Sequence, residues 1–127
     1  MNKPAVLTTD TVDTREKLLR IALNEFAKHG IEGVSLSQIR QLSGQGNRSV
    51  VHYHFKTKAR LVEEVVEFAT SRLDVYCKQA HAEFALGKPE HKEWVRLSEL
   101  IFDPFLKLFA SGETGATCIQ FLSRLTW

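Results

Sequence analysis

The stretch Ser35-Leu36-Ser37-Gln38-Ile39-Arg40-Gln41-Leu42-Ser43-Gly44-Gln45-Gly46-Asn47-Arg48-Ser49-Val50-Val51-His52-Tyr53 sets the architecture of this chain. Its opening fits a capping box, in which Ser35 accepts from the backbone three residues on and Gln38 reaches back to Ser35. Leu36, Ile39 and Leu42 then recur at helical spacing, which predicts a short helix to about Ser43 with those three residues buried. Gly44-Gln45-Gly46 must turn, because two glycines so close cost a helix interior roughly 2 kcal/mol. Asn47 is a good N-cap for another short helix over 47–53.

Working outward, Leu18, Ala22 and Phe26 recur at i, i+4 and i+8, with Leu19 and Leu23 widening the stripe. They predict a helix over 14–28, capped by Thr14 and closed by His29-Gly30. Residues 1–13 lack periodicity and read as a flexible N-terminal arm. On the other side, Thr57 caps a much longer helix with a seam at Val62, Val66, Ala69, Leu73, Tyr76 and Ala80. Gly87-Lys88-Pro89 breaks it. A helix over 90–111 follows, with Trp94, Leu97, Ile101, Phe105 and Leu108 on its face and a kink expected at Pro104. Residues 112–115 read as a loop, and 116–127 as the start of a further helix carrying Phe121, Leu122 and Leu125.

No strand pattern interrupts this series, so the expected fold is all-α. A three-helix helix-turn-helix domain over 14–60 leads into a long linking helix. Part of a helical ligand-binding or dimerisation domain then fills 61–127.

Composition places the chain among ordinary globular proteins: 127 residues, 43% hydrophobic and 25% charged. Nothing reads as a signal peptide, and no stretch approaches the roughly 20 apolar residues of a membrane helix. Cys77 and Cys118 are too few and too far apart for a secreted disulfide scaffold. A soluble, cytoplasmic protein is expected. The net charge of +2 hides an asymmetry, because residues 14–60 carry nine Lys or Arg against three Glu. Residues 61–127 carry seven against ten acidic residues. A phosphate-facing module joined to a neutral-to-acidic one fits that split; a solvated basic face is the plainer alternative.

A short helix, a glycine turn and a second short helix, braced by an amphipathic helix, make a unit that fits the major groove of DNA. The reader would be the helix over 47–53. Arg48 and Ser49 sit in its first turn after Asn47, and Arg can bridge O6 and N7 of guanine. His52 lies one turn on, Val51 points inward, and Tyr53 can pack its ring while offering its hydroxyl to a phosphate. His54, Lys56 and Lys58 flank the Thr57 cap, where exposed N–H groups and two lysines suit a phosphate. Ser35 and Ser37, with Gln38 in the same turn, offer a second such seat.

The run from Thr14 to Leu61 resembles the DNA-binding domain of the TetR family of bacterial regulators. Thr14-Arg15-Glu16-Lys17-Leu18-Leu19 resembles that family's opening helix, which ends here in Phe26-Ala27-Lys28-His29-Gly30. Val34-Ser35-Leu36-Ser37-Gln38-Ile39 resembles the next helix. Tyr53-His54-Phe55-Lys56-Thr57-Lys58-Ala59-Arg60-Leu61 resembles the aromatic-His-Phe-x-x-Lys-x-x-Leu entry to the long helix. The turn 44–47 is one residue longer than the commonest family pattern, and His52 stands where many relatives carry Tyr. The resemblance implies a homodimer on a pseudo-palindromic double-stranded operator, acting as a ligand-responsive repressor. It also implies a small-molecule effector held in a C-terminal helical domain. Members of the family continue for several more helices, so a fragment of a longer protein is expected.

Other classes fit less well. Trp94, Ile101, Phe102 and Phe105 are candidates for an effector pocket, although an aromatic-rich half with Phe109 and Phe121 equally suits a plain core. Cys77 and His81 have a chelating spacing, with His91 as an imaginable third ligand, yet an ordinary thiol beside a solvated histidine explains them better. No metal or other cofactor is expected. No catalytic constellation or Gly-rich phosphate loop is placed by motif, so an enzyme is not expected. A helical protein-interaction module that binds no DNA is the alternative.

Overall fold

The computed structural model describes residues 9–44, 54–87 and 92–125. Among them run five helices and no strand: α1 (Thr9–His29), α2 (Leu36–Leu42), α3 (Lys58–Leu86), α4 (Glu93–Ala110) and α5 (Glu113–Arg124). The fold is all-α, as the periodicity predicts. The chain divides into two compact units, Met1–Val65 and Val66–Trp127.

The first unit is built on α1. Its expected stripe is buried in full, from Leu18 through Ala22 to Phe26, joined by Leu19, Leu23 and Ala27. Val34, Ile39, Phe55, Leu61 and Val65 close over it; burying each large aliphatic or aromatic side chain contributes roughly 1.5–3 kcal/mol. The helix starts at Thr9 rather than at the expected cap Thr14, so residues 9–13 of the expected arm are helical. No Gly or Pro between Thr9 and Thr14 stops the helix from propagating back. Gly30 ends it with φ 77°, and its N–H donates to the Phe26 carbonyl at 2.9 Å.

Two expectations about the buried stripes need correction. In α2 Ile39 is buried, but Leu42 is 55% exposed and Ser43 takes the inward place. Ser43 lies four residues after Ile39, on the same face, and its hydroxyl donates back to the Arg40 carbonyl at 2.6 Å, which satisfies it away from water. In α3 the fully buried stripe is Leu61, Val65 and Ala69, one residue out of step with the expected Val62 and Val66, which are half-buried. The expected seam holds at Ala69 and Ala80.

In the second unit α4 packs against α5. Pro104 and Leu108 are the buried residues of α4, facing Gly115, Cys118 and Phe121 of α5. The expected face of α4 is otherwise the outer one. Only Leu108 of the predicted stripe is buried, whereas Trp94, Leu97, Ile101 and Phe105 are exposed. The loop expected over 112–115 is also shorter, since α5 begins at Glu113. Gly115 lies inside its first turn, where a β-carbon would run into the Leu108 carbonyl and the Ser111 hydroxyl. Arg96 closes the end of α3 by donating to the Phe84 carbonyl at 2.6 Å, one of the acceptors a helix leaves unpaired at its C-terminus.

Candidate nucleic-acid interface

The first unit brings three of the expected contact residues together. A shallow depression is lined by Glu32, Gly33, Val34, Ser35, Leu36, Gln38 and Lys58. Ser35 and Gln38 form the expected capping box. The Gln38 N–H donates to the Ser35 hydroxyl oxygen at 3.2 Å, and the Ser35 N–H donates to Gln38 Oε1 at 2.7 Å. This reciprocity holds the rim of the depression, and Ser37 is exposed beside it.

Lys58 reaches that rim because it is the first residue of α3. The helix starts there because Thr57 caps it: the Arg60 N–H donates to Thr57 Oγ1 at 3.1 Å, and the Leu61 N–H donates to the Thr57 carbonyl at 3.2 Å. Lys56 and Thr57 are exposed, and His54 is half-buried. Burial, and secondly the nearby Arg15 charge, push the His54 imidazole below its ordinary pKa of 6.5. At neutral pH His54 therefore meets its surroundings as a neutral ring that can still donate one N–H.

Asn47, Arg48, Ser49, His52 and Tyr53, the expected reader, lie outside the described residues. Of the expected phosphate contacts, Ser35, Ser37, Gln38, His54, Lys56, Thr57 and Lys58 are described. Their common feature is position: all lie at or just before the first turn of α2 or α3.

Residues 18–65 match the family described as "Bacterial regulatory proteins, tetR family". They form a tetR-family domain. Over 61 residues the chain is 33% identical to the HTH-type transcriptional regulator AcrR of Shigella flexneri, a stretch that is 48% of this chain. It covers 28% of that regulator's length. No solved structure matches the chain significantly.

The tetR-family segment thus contains α2, the Lys58 depression and the first two turns of α3. Sequence reasoning missed a cluster at its edge. Glu64 is 8% exposed and is paired with Arg15 of α1 and with Arg60 Nε at 3.2 Å. Arg60 also reaches Glu63 at 3.1 Å, and the Arg15 guanidinium lies over the buried Phe55 ring, 5.3 Å from its centroid. The i, i+4 spacing of Arg60 and Glu64 was a readable signal. The Arg15–Glu64 pair was not, since nothing local relates the two positions.

Outside the tetR-family segment, the second unit carries the expected effector-pocket residues. Trp94 (67%), Ile101, Phe102 (61%) and Phe105 are all exposed on α4. A cleft in the same unit is lined by Ala80, Glu83, Phe84, Arg96, Glu99, Leu100 and Asp103. No group of three or more His, Cys, Asp or Glu among the described residues is placed to hold a metal ion. No helix among them is long and apolar enough to cross a membrane.

Proposed function

We propose that this chain is the DNA-binding part of a ligand-responsive, cytoplasmic transcriptional regulator that works as a repressor. In this reading the helix over 47–53 enters the major groove, with Arg48, Ser49 and His52 on base edges and Asn47 and Tyr53 beside them. Ser35, Ser37, Gln38, His54, Lys56, Thr57 and Lys58 hold the backbone. A homodimer presents two such readers to a pseudo-palindromic operator, the half-sites about one helical turn apart. The carrying observation is the placement of Lys58 on one rim with Ser35 and Gln38, inside a tetR-family segment rich in basic residues.

The effector binds on the second unit, against the exposed apolar face of α4 that includes Trp94, Ile101, Phe102 and Phe105. It acts through α3, whose first residue is Lys58 and whose residues belong to both units. Such a ligand shifts the operator-bound population only as far as it prefers one arrangement over the other.

Fluorescence anisotropy with labelled promoter duplexes across a salt series tests the reading. Binding that weakens linearly in log–log form with rising salt is expected, because phosphate contacts release counterions. Absence of salt-dependent binding to any duplex refutes it. One observation favours a second reading, a helical module that binds a protein partner: the exposed Trp94, Phe102, Leu106 and Phe109 of α4. That reading expects partner capture to survive Arg48→Ala combined with Lys58→Ala.

A further inference from the structure

A nearly buried carboxylate sits between two guanidinium groups at the start of α3. Taking a charge out of water costs several kcal/mol unless it is paired, so Glu64 and its partners hold one another in place. Arg60 belongs to the same helix, but Arg15 comes from α1. Arg15 also lies over the face of Phe55, whose ring has no exposed surface. Phe55 in turn directly precedes Lys56 and the Thr57 cap. An unbroken line of contacts therefore runs from Glu64 through Arg15 to the segment that enters α3.

We propose that Glu64 is a positioning residue for DNA binding. It does not meet DNA; it keeps Arg15 over Phe55 and thereby sets where His54, Lys56 and Lys58 present their polar atoms. The inference rests on the DNA-binding reading above. Planar Arg suits this place because one guanidinium can bond a carboxylate and stack flat on a ring at once, whereas the compact ammonium of Lys has neither the plane nor the fork of donors.

Charge alone argues for the opposite outcome, which makes the idea testable. Removing an acidic group beside a site for a polyanion strengthens binding on electrostatic grounds. Removing a positioning group weakens it. In the full chain, Glu64→Gln is expected to bind a promoter duplex roughly tenfold more weakly at fixed salt, a factor worth about 1.4 kcal/mol. Glu63→Gln, which removes an exposed carboxylate one residue away, leaves binding unchanged or tightens it. Binding by Glu64→Gln as tight as that of the unaltered chain, or tighter, overturns the proposal.

Arg15→Lys carries the test if Glu64→Gln loses its helical circular dichroism. It conserves charge, so weaker binding supports the positioning role and unchanged binding overturns it. A readout without DNA separates the contact from the reading it rests on. The His54 ring signals in NMR spectra of both variants are expected to move, while those of His29 and His81 stay. Unmoved His54 signals overturn the positioning role of Glu64 even where the unaltered chain binds duplexes. A chain that binds no duplex overturns the positioning role together with the DNA-binding reading, and the His54 signals then show whether Glu64 and Arg15 still set the place of His54.

Discussion

Arg15 lies over the ring of Phe55, 5.3 Å from its centroid, and so joins the first helix to the residue just ahead of the α3 cap. That distance is within the roughly 6 Å over which a cation is drawn to an aromatic face. Phe55 itself is fully buried. The ring therefore does two things: it fills the core of the first unit and supplies the surface on which Arg15 rests.

Phe55→Ala should accordingly be among the most damaging single changes in the first unit. Loss of a fully buried ring costs roughly 3–5 kcal/mol, part transfer and part cavity. A large drop in the urea midpoint is expected, and a shift equivalent to less than about 1 kcal/mol contradicts the burial described here.

The α3 cap gives a smaller and cleaner effect. Thr57→Ala removes the acceptor for the Arg60 N–H and should cost about 1 kcal/mol, whereas Thr57→Ser keeps the oxygen and most of the stability. Denaturant titration followed by circular dichroism compares the two. Equal stability of both variants rules the cap out as a contributor.

On DNA, Lys58 and Arg48 should fail in different ways. Lys58→Ala is expected to weaken binding to all duplexes alike and to lower the salt slope by about one, as loss of a phosphate contact does. Arg48→Ala should cost roughly 1–3 kcal/mol on the preferred operator and far less on unrelated duplexes. Anisotropy on a matched and a scrambled duplex reads both, and a uniform loss from Arg48→Ala removes it from the bases.

His54 makes stability depend on pH on the acid side. Its pKa is lowered in the folded chain by burial and by Arg15, so the unfolded chain takes up the proton more readily. Above the ordinary value of 6.5 the group contributes no pH dependence. As pH falls below it, stability is lost progressively until the lower, folded pKa is passed. His54→Gln should flatten that part of the profile, as measured by thermal melts from pH 7.5 to 5. An unchanged slope assigns the acid sensitivity elsewhere.

Gly115→Ala should unsettle the second unit, since its β-carbon meets the Leu108 carbonyl and the Ser111 hydroxyl. Overpacking of this kind costs typically about 1–3 kcal/mol. Ordinarily a helical Gly→Ala change stabilises by roughly 1 kcal/mol, so the two mechanisms predict opposite signs. A melt that rises on substitution refutes the close approach of α4 and α5.

Much of the fold was legible because its signals are local. The capping box at Ser35 and Gln38, the left-handed Gly30, the stop at Gly87 and the Thr57 cap each depend on residues within four positions of one another. The α1 stripe was equally clear, since its helix is amphipathic along most of its length. Helix starts without a stop signal were less clear: Thr14 looked like a cap, yet nothing before it prevents α1 from beginning at Thr9. Of the candidate site, the Ser35–Gln38 rim and the first residue of α3 were visible, and their convergence in one depression was not.

The sequence by itself determined where α1 and α3 stop and where α2 and α3 are capped, and that a basic segment precedes an acidic one. Hydrogen bonds to neighbours and side-chain periodicity are sufficient for that. Only the tertiary structure decided which faces are covered. The apolar stripe of α4 at Trp94, Leu97, Ile101 and Phe105 would serve as a core in another setting, but α5 packs on Pro104 and Leu108 instead. Likewise Glu64 reads as a solvated charge until Arg15 arrives from α1 to bury it. Periodicity encodes that a face is apolar or a side chain charged; its partner is set by which helices meet.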